Sequence, residues 1–333
     1  MPDQNYNILL RNIFMFCAVM LLLIPAIALP LSKYFWLADL ASHFIQHYLA
    51  ASIVLLLCAI TLRYKIIVII ALCAVITNAS IISAYHSNID KAANILPEAD
   101  TVRILQFNMY LRNKTPEAVI NWLDNNLHQA DIVLLQECPI HIRESLINRF
   151  TDTFPYRSIS LDWHREDILL SRTPLTSLNI HKLENSLISY IEAETTSPTL
   201  RIPYRFIGIH TASPVTSKNW KNRNQQLKNL IPLISNKNNS PSLPVILSGD
   251  LNTTPYSYGF RNLISSTKLR FDTKATLGTW PSFMPIAAGR ITIDHTLATP
   301  HFKIIKSDIL TPNGSDHFPT LTTLNLTNDR ANK

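Results

Sequence analysis

The stretch VILSGDLN, residues 245–252, places a short apolar run directly before two polar residues, Asp250 and Asn252. A run of this kind, with β-branched residues and a glycine at its end, is typical of a buried strand. Asp250 and Asn252 stand where the strand would leave the core, so their side chains could face a cleft. A lone polar residue in this position is most often a turn former or a satisfied polar group. The stretch therefore indicates chemistry only if the pattern recurs.

The same pattern recurs along the C-terminal part of the chain. Apolar runs predict strands at residues 102–107, 132–136, 167–171, 187–193, 204–209, 245–248, 291–297 and 318–324. Polar residues follow or precede several of these runs, at Asn108, Glu137, His210, Asp316 and His317, and Asp294 stands within the run at 291–297. Together with Asp250 and Asn252, this makes a set that separate turns do not readily explain.

Helices are predicted between some of these strands. Residues 115–117 have the form of a helix start, with a threonine cap, a proline at the first helical position and an acid in the first turn. Apolar residues mark one face of a second helix: Trp220, Leu227, Leu230, Ile231 and Ile234. Strands with interspersed helices fit an α+β sandwich of two sheets covered by helices.

The N-terminal part has a different composition. The chain has 333 residues, of which 16% are charged, against about 25% in an average soluble protein. Most of this deficit lies in the first 95 residues, which contain five Lys or Arg and three Asp or Glu. Residues 12–31 and 66–84 are uncharged and match the roughly 20 residues of a transmembrane helix. The composition excludes a fully soluble protein, a disordered chain and a collagen-like repeat.

A third span, residues 43–62, is predicted between these two. Its apolar part, residues 48–62, is short, so the span must include polar residues from the preceding turns. Four polar residues share one helical face there: Asp39, His43, Gln46 and His47. This stripe is either a proton or metal site inside the membrane or an interfacial turn anchored by Trp36, and we favour the interfacial turn.

The cations predict a topology for these three spans. Arg11, Arg63 and Lys65 lie on one side, against Lys33 and Lys91 on the other. The positive-inside rule then places the N-terminus in the cytoplasm and the C-terminal domain outside it. The predicted organisation is a membrane region at residues 1–85 with about three transmembrane helices, a linker at 86–100, a catalytic domain at 101–326 and a tail at 327–333.

Seven short motifs occur in a fixed order: LQFN (105–108), LLQE (134–137), LLSR (169–172), IH (209–210), SGDLN (248–252), IDH (293–295) and SDHFP (315–319). Together they resemble the endonuclease/exonuclease/phosphatase superfamily, the DNase I-like metal-dependent phosphoesterases, over residues 101–326. With a multi-span region before it, the chain is similar to a membrane-anchored bacterial branch. The resemblance implies a four-layer α/β/β/α sandwich (DNase I-like) preceded by an N-terminal all-α transmembrane region, in a multi-pass protein of the bacterial inner membrane.

The resemblance also implies roles for the polar residues. The metal ligands would be Asn108, Glu137 and Asp316, and their hard oxygen atoms suit Mg²⁺ or Mn²⁺. The remaining residues would be catalytic. His317 would act as a base oriented by Asp294, Asp250 and Asn252 would position the attacking water, and His210 would bind the phosphoryl oxygen or the leaving group. Whether Asp250 or His317 takes the proton, and whether one or two metals bind, stays open.

Some residues near these motifs carry weaker signals. Arg223 and Gln226 lie one helical turn apart after His210 and either line the cleft or belong to a solvated face. Arg172 is interpreted as a structural ion-pair partner. His295 follows Asp294 in the same strand, so its side chain should face the opposite side of the sheet.

Several alternative chemistries lack their motifs, because the chain has no GxSxG elbow, no HExxH, no phosphate-binding GxxxxGK[ST] loop and no paired cysteines for zinc. Two classes remain: a working metal-dependent phosphoesterase, and a catalytically silent membrane-tethered binding module on the same fold. The presence of Glu137, Asp250, Asn252 and His317 favours the enzyme. The substrate stays open among a lipid headgroup, nucleic acid and a nucleotide, because residues 96–333 carry a net charge of only +5 and no cluster of five or more Lys or Arg, which gives no strong polyanion-binding signal.

Overall fold

The computed structural model describes residues 4–86, 101–162, 165–182, 189–199, 202–235, 243–272, 278–311 and 314–327. The predicted linker beyond His86 and the predicted tail beyond Thr327 lie outside these residues. The chain divides into two compact units. One contains the N-terminal helices together with residues 254–258, and the other contains the remaining described residues.

The first unit contains four helices: α1 (Gln4–Leu31), α2 (Trp36–Ser42), α3 (Ile45–Thr61) and α4 (Lys65–His86). Helices α1 and α4 are long and apolar enough to cross a membrane. Helices α2 and α3 meet at a 62° bend and would count together as a third span. Two or three helices are therefore apolar enough to cross a membrane, in line with the sequence pattern.

Small residues let these helices approach one another. Ala18, Ala59 and Ala71 are buried in one apolar cluster, and small side chains allow close contact between membrane helices. Among the polar stripe, Asp39 and His43 are buried, with His43 Nε2 3.9 Å from Asp39 Oδ2. We assign no function to this pair.

The second unit contains two mixed β-sheets. The first sheet has six strands: β1 (Thr101–Asn108), β2 (Ile132–Gln136), β3 (Tyr156–Asp162), β4 (Arg165–Ser171), β10 (Phe302–Ile309) and β11 (Thr320–Leu326). Their order is β10-β11-β1-β2-β4-β3. The second sheet has the order β5-β6-β7-β8-β9. Its strands are β5 (Thr176–Lys182), β6 (Ser189–Thr195), β7 (Tyr204–Ile209), β8 (Val245–Asp250) and β9 (Asp294–Ala298).

Helices cover the outer faces of both sheets. Helices α5 (Pro116–Asn126) and α6 (Ile140–Phe150) share one apolar cluster with β1 and β2. Helices α7 (Ser217–Ser235) and α8 (Tyr258–Thr267) share another with β7 and β8. A third cluster joins the two sheets and includes Ile104, Leu134, Phe206 and Ile246. The unit thus has the predicted α+β architecture, an α/β/β/α sandwich in which each sheet buries both of its faces.

Most predicted elements are present within a few residues of their expected bounds. Strands β2 and β7 match their predictions, and β9 begins at Asp294 where the sequence pattern indicates Ile291. Among the described residues of the second unit, five strands and α-helices were not predicted: β3, β5, β10, α6 and α8. Each of the three unpredicted strands lies at the edge of its sheet. Edge strands bury less apolar surface, so their periodicity in the sequence is weak.

Candidate active site

The strand order brings the polar ends of four strands to one place. Strands β1 and β2 run parallel, with Asn108 opposite Gln136, so Asn108 and Glu137 leave the first sheet together. Strands β7 and β8 also run parallel, so His210 and Asp250 leave the second sheet at a common edge. Asp250 lies directly opposite Asp294 across the antiparallel pair β8–β9. Residues far apart in sequence therefore meet between the two sheets.

Asp294 and His317 form a buried carboxylate–imidazole pair. The distance from His317 Nδ1 to Asp294 Oδ2 is 2.9 Å. The other carboxylate oxygen of Asp294 accepts a hydrogen bond from Gln106 Nε2 at 2.8 Å. His317 Nε2 then lies 3.8 Å from Asp250 Oδ2. A hydrogen bond at one ring nitrogen fixes the orientation of an imidazole and leaves the other nitrogen for chemistry.

Two buried glutamines connect the sheets beneath this pair. Gln106 Nε2 also donates to Gln136 Oε1 at 3.1 Å, and the same oxygen accepts the backbone N–H of Asp250 at 2.7 Å. The two side chains therefore bridge Asp294 to the backbone of Asp250. Sequence reasoning missed both residues, although a glutamine inside an otherwise apolar buried strand is itself an unusual signal.

Glu137 is partly exposed and lies beside the buried Asn108. Glu137 has a positive φ of 52°, as it turns out of β2, and its Oε2 accepts the backbone N–H of Leu111 at 3.1 Å. Asn108 Nδ2 donates to Asp250 Oδ2 at 3.1 Å. Asn108 Oδ1 accepts the backbone N–H of Tyr110 at 3.0 Å. The two side chains are thus oriented by the loop that follows β1.

His210 lies between the carboxylates of the two sheets. Its Nε2 is 3.4 Å from Asp250 Oδ2 and 3.7 Å from Glu137 Oε1. Asp316 enters from the loop before β11, where its Oδ2 accepts a hydrogen bond from Trp280 Nε1 at 3.2 Å. Its other oxygen, Oδ1, lies 4.0 Å from His317 Nε2. The carboxylates of Glu137, Asp250 and Asp316 therefore each have an oxygen within 4.0 Å of a histidine nitrogen.

Asn252 is held by a tight turn. Its φ is 46°, its backbone N–H donates to Asp250 Oδ1 at 2.9 Å, and its Nδ2 donates to the carbonyl of Thr211 at 3.0 Å. Arg223 Nη1 donates to the carbonyl of Asn252 at 3.1 Å. The structure therefore places Asn252 beside Asp250 and connects it to the His210 loop.

Arg223 and Gln226 do not belong to a solvated face, because both are buried on α7. Gln226 Oε1 accepts the backbone N–H of Ala212 at 2.9 Å. A buried arginine requires several acceptors, and the loop carbonyl of Asn252 supplies one. These two residues support the loops that carry Asn252 and His210.

Arg172 and His295 lie outside the set of site residues. Arg172 donates to the carbonyls of Ala130 and His128 and its guanidinium lies over the ring of Phe154, so its role is structural. The Nε2 of His295 is 2.8 Å from the carbonyl of Thr253, and the imidazole packs on Phe260. Its neighbour Asp294 instead bonds to His317, as expected for successive residues of a strand.

Comparison with known proteins identifies the fold family of this arrangement. A family model described as the endonuclease/exonuclease/phosphatase family matches residues 105–317. That match spans more than half of the chain and nearly all of the residues that build the site. The chain belongs to this family. Among curated proteins, none matches the chain.

Solved structures of endonuclease/exonuclease/phosphatase fold are similar to the chain at low identity. A mannosyl-6-phosphatase from Bacteroides thetaiotaomicron is 16% identical with a TM-score of 0.54, over 67% of this chain and 99% of that one. The human nocturnin catalytic domain, solved with a bound sulfate anion, is 16% identical with a TM-score of 0.56, over 71% and 98%. Caenorhabditis elegans TDP2 is 16% identical with a TM-score of 0.55, over 68% and 97%. These likenesses support the fold.

The family site in this chain concentrates negative charge. Burial and, to a smaller extent, the nearby charge of Asp294 raise the pKa of Asp250 to about 7, against the opposing effect of His317. Burial likewise raises the pKa of Asp316. Asp294 behaves differently. Burial would raise its pKa, but the charge and the hydrogen bond of His317 outweigh burial, so the pKa of Asp294 is lowered. Carboxylates crowded in this way favour a neighbouring cation.

His317 carries the complementary shift. Burial lowers its pKa, but the charge and hydrogen bond of Asp294, with smaller contributions from Asp250 and Asp316, raise it to about 10. The imidazole is therefore held strongly between carboxylates. Residues that exchange protons in catalysis often show such opposed shifts in a shared site.

The donor set fits a hard divalent cation such as Mg²⁺ or Mn²⁺. Asp316 Oδ1 is buried and has no hydrogen-bond partner among the described residues, and an uncompensated carboxylate oxygen is a suitable metal ligand. Ligand atoms of Asp250, Asp294 and His317 also lie within 4.8 Å of one another. However, both oxygens of Asp294 already accept hydrogen bonds, from His317 and Gln106. Glu137 and Asp316 each have one carboxylate oxygen that accepts a hydrogen bond, from Leu111 and Trp280, and their side chains are partly exposed.

Proposed function

We propose that this protein is a membrane-anchored phosphoester hydrolase that requires Mg²⁺ or Mn²⁺. The observation that carries the proposal is the buried Gln106–Asp294–His317 line, in which His317 Nε2 faces Asp250 beside the carboxylates of Glu137 and Asp316. Phosphoester hydrolysis needs a group that transfers a proton. It also needs a positive charge near the developing oxyanion. The family membership supports the same class of reaction.

Glu137, Asn108 and Asp316 would hold the cation. Glu137 and Asp316 have the most exposed carboxylate side chains of the site, at 20% and 31%. When bound, a divalent cation neutralises phosphate charge and polarises the phosphoryl oxygen. Asn108 would add an amide oxygen, or orient Asp250 through the hydrogen bond that it already donates.

Asp294, His317 and Asp250 would move the proton. Asp294 holds the imidazole through Nδ1, so that His317 Nε2 and Asp250 Oδ2 face each other across 3.8 Å. A water bound between them would be oriented on one side by Asn252. His210 Nε2, 3.4 Å from Asp250 Oδ2, would donate a hydrogen bond to a phosphoryl oxygen or to the leaving group.

A substrate panel tests the proposal. The full chain, purified in detergent, would be assayed with Mg²⁺ or Mn²⁺ against DNA, RNA, nucleotides, phosphoinositides and sphingomyelin, and against the soluble ester bis(p-nitrophenyl) phosphate. We expect hydrolysis that EDTA abolishes and that added Mg²⁺ restores. Activity that persists in EDTA would contradict the metal requirement. Binding of a phosphoester without turnover would instead favour the catalytically silent module.

We also propose that the catalytic unit lies outside the cytoplasm of a bacterial inner membrane. The proposal rests on three spans and on the cations Arg11, Arg63 and Lys65 against Lys33 and Lys91. Reporters fused after Asp100 would test it. Alkaline phosphatase, active only after export, should be active, and green fluorescent protein should be dark. A bright fluorescent fusion with an inactive phosphatase would contradict this location and leave the chemistry unaffected.

A further inference from the structure

The loop before β9 exposes a cluster of apolar side chains. Phe283 is 71% exposed, Ile286 is 70% exposed, and Met284 between them is 40% exposed. Pro285 is also exposed, so four consecutive apolar residues face solvent. Contiguous exposed apolar residues on a folded protein usually mark a surface that binds an apolar partner.

This loop has a defined shape held by Arg290. The guanidinium donates to the carbonyl of Met284 at 2.7 Å and to that of Pro285 at 3.3 Å. It also lies over the ring of Phe318, 4.1 Å from the ring centre. The exposed side chains are therefore presented by a folded turn whose backbone carbonyls are already bonded.

The same loop contacts a residue of the candidate active site. Trp280 Nε1 donates to Asp316 Oδ2 at 3.2 Å, and the backbone N–H of Ser282 donates to the carbonyl of Asp316 at 2.7 Å. Ser282 Oγ also donates to the carbonyl of Ser315 at 2.6 Å. The apolar cluster thus begins next to the carboxylate that we assign to the metal.

A second loop, residues 110–114, lies next to Glu137, the other carboxylate that we assign to the metal. Leu111 is 38% exposed, and its backbone N–H donates to Glu137 Oε2. Arg112 and Lys114 beside it are exposed cations. Residues 314–316 lie next to both loops. Ser315 and Asp316 bond to Ser282, and a Cβ placed on Gly314 would lie 2.7 Å from Thr115 Oγ1 and 3.1 Å from Asn113 Oδ1.

We propose that this rim, formed by Leu111, Phe283, Met284 and Ile286 with Arg112 and Lys114, inserts into the surface of an anionic lipid bilayer. The cleft then takes its phosphoester from a lipid headgroup, a substrate class that rests on the hydrolase function proposed above. Apolar side chains beside Lys and Arg are the composition that binds the headgroup–acyl boundary.

The apolar helices of the same chain identify the partner as a bilayer. Two helices are long and apolar enough to cross a membrane, so a bilayer is the apolar partner to which the chain itself would tether this rim. A small apolar cluster on a tethered unit needs little intrinsic affinity, because tethering makes the local concentration of the partner high. Anionic headgroups would also pair with the adjacent exposed cations, Arg112 and Lys114.

Depth-dependent quenching tests the insertion. The full chain would carry Cys17→Ala, Cys58→Ala and Cys73→Ala, with the buried Cys138 retained, and one added cysteine labelled with the fluorophore NBD. The labelled positions would be Phe283→Cys and Ile286→Cys. The matched controls are Ile305→Cys and Ile180→Cys, at isoleucines that are 43% and 47% exposed on edge strands.

Proteoliposomes of phosphatidylcholine and phosphatidylglycerol with doxyl-labelled lipid would supply the quencher. We expect quenching at positions 283 and 286, at least severalfold stronger than at 305 and 180. The quenching should fall when phosphatidylglycerol is omitted and in the Arg112→Gln/Lys114→Gln variant. Equal quenching at all four positions, or none at 283 and 286, would overturn the proposal. Neither result depends on catalysis.

A second measurement tests the substrate class. Wild type and Phe283→Ser/Ile286→Ser would be compared on phosphoester lipids in proteoliposomes and on bis(p-nitrophenyl) phosphate in solution. The ratio of lipid to soluble turnover should fall about tenfold, because two apolar anchors are lost. The Ile180→Ser/Ile305→Ser control should keep the wild-type ratio. An unchanged ratio in the rim variant would overturn the lipid assignment, whereas absence of turnover on both substrates in wild type would overturn the hydrolase function.

Discussion

The two sides of the candidate active site differ in how completely hydrogen bonds from the protein satisfy their polar atoms. On one side, Asp294 is fully buried and bonds to His317 and Gln106. On the other side, Glu137 and Asp316 are partly exposed, and Asp316 Oδ1 is buried without a hydrogen-bond partner among the described residues. The contrast separates two tasks: the closed side orients an imidazole, and in the function proposed above the open side would bind the cation.

The largest decrease in activity is expected when the closed side loses Asp294 or His317. Asp294→Ala and His317→Ala should each lower kcat by roughly 10³-fold, because each removes the oriented proton-transfer group. The double variant should lose little more than either single variant, since the two residues act as one unit. Steady-state kinetics on bis(p-nitrophenyl) phosphate would measure this. Multiplicative losses in the double variant would show that the pair does not work as a unit.

The next effect concerns the open side. Glu137→Gln keeps the shape of the side chain but removes its charge, so it should lower kcat by roughly 10²-fold and raise the Mg²⁺ concentration needed for half-maximal activity. Titration of Mg²⁺ at saturating substrate would measure both. The matched control is Glu144→Gln on the exposed face of α6. A Glu137→Gln enzyme with an unchanged Mg²⁺ requirement would exclude Glu137 as a ligand.

A smaller effect is expected at the support of the closed side. Gln106→Leu removes the hydrogen bond to Asp294 Oδ1 and should lower kcat about tenfold, with a shift in the pH–rate profile. Thr320→Val is the control, because Thr320 Oγ1 donates to Gln106 Oε1 at 3.2 Å and does not bond to Asp294. If both variants lost activity equally without a shift in the profile, Gln106 would be a structural residue only.

The smallest effect on activity is expected at His295, which faces away from the pair. Burial lowers the pKa of His295 to about 4, so the folded state holds this imidazole neutral. The unfolded state binds the proton below its ordinary pKa of about 6.5, so stability should fall by up to about 3 kcal/mol between pH 6.5 and 4. The thermal midpoint of the full chain in detergent would follow this loss.

The His295→Gln variant tests both parts of that expectation. Its activity at pH 7.5 should stay within a few-fold of wild type, and its thermal midpoint should depend less on pH between 6.5 and 4. A large loss of kcat at unchanged stability would place His295 in the catalytic group after all. An unchanged pH dependence would assign the acid loss to other residues.

Much of the closed and open sides could be predicted from sequence. Local patterns predict an α+β domain with apolar strands at 132–136 and 204–209, both of which the structure has within those bounds. The same patterns place polar residues after strands, and the structure brings Asn108, Glu137, His210, Asp250 and His317 together. Strand periodicity and strand ends are local properties, so they are visible without the fold.

The sequence by itself therefore determined the helices that are apolar enough to cross a membrane, the central strands and the set of polar residues at the strand ends. The tertiary structure alone decided that Gln106 supports Asp294, 188 residues away, that Arg223 is buried under the Asn252 loop, and that an apolar loop borders Asp316. The physical reason is distance along the chain. Edge strands and long-range hydrogen bonds depend on which elements pack together, and no local pattern of residues encodes that pairing.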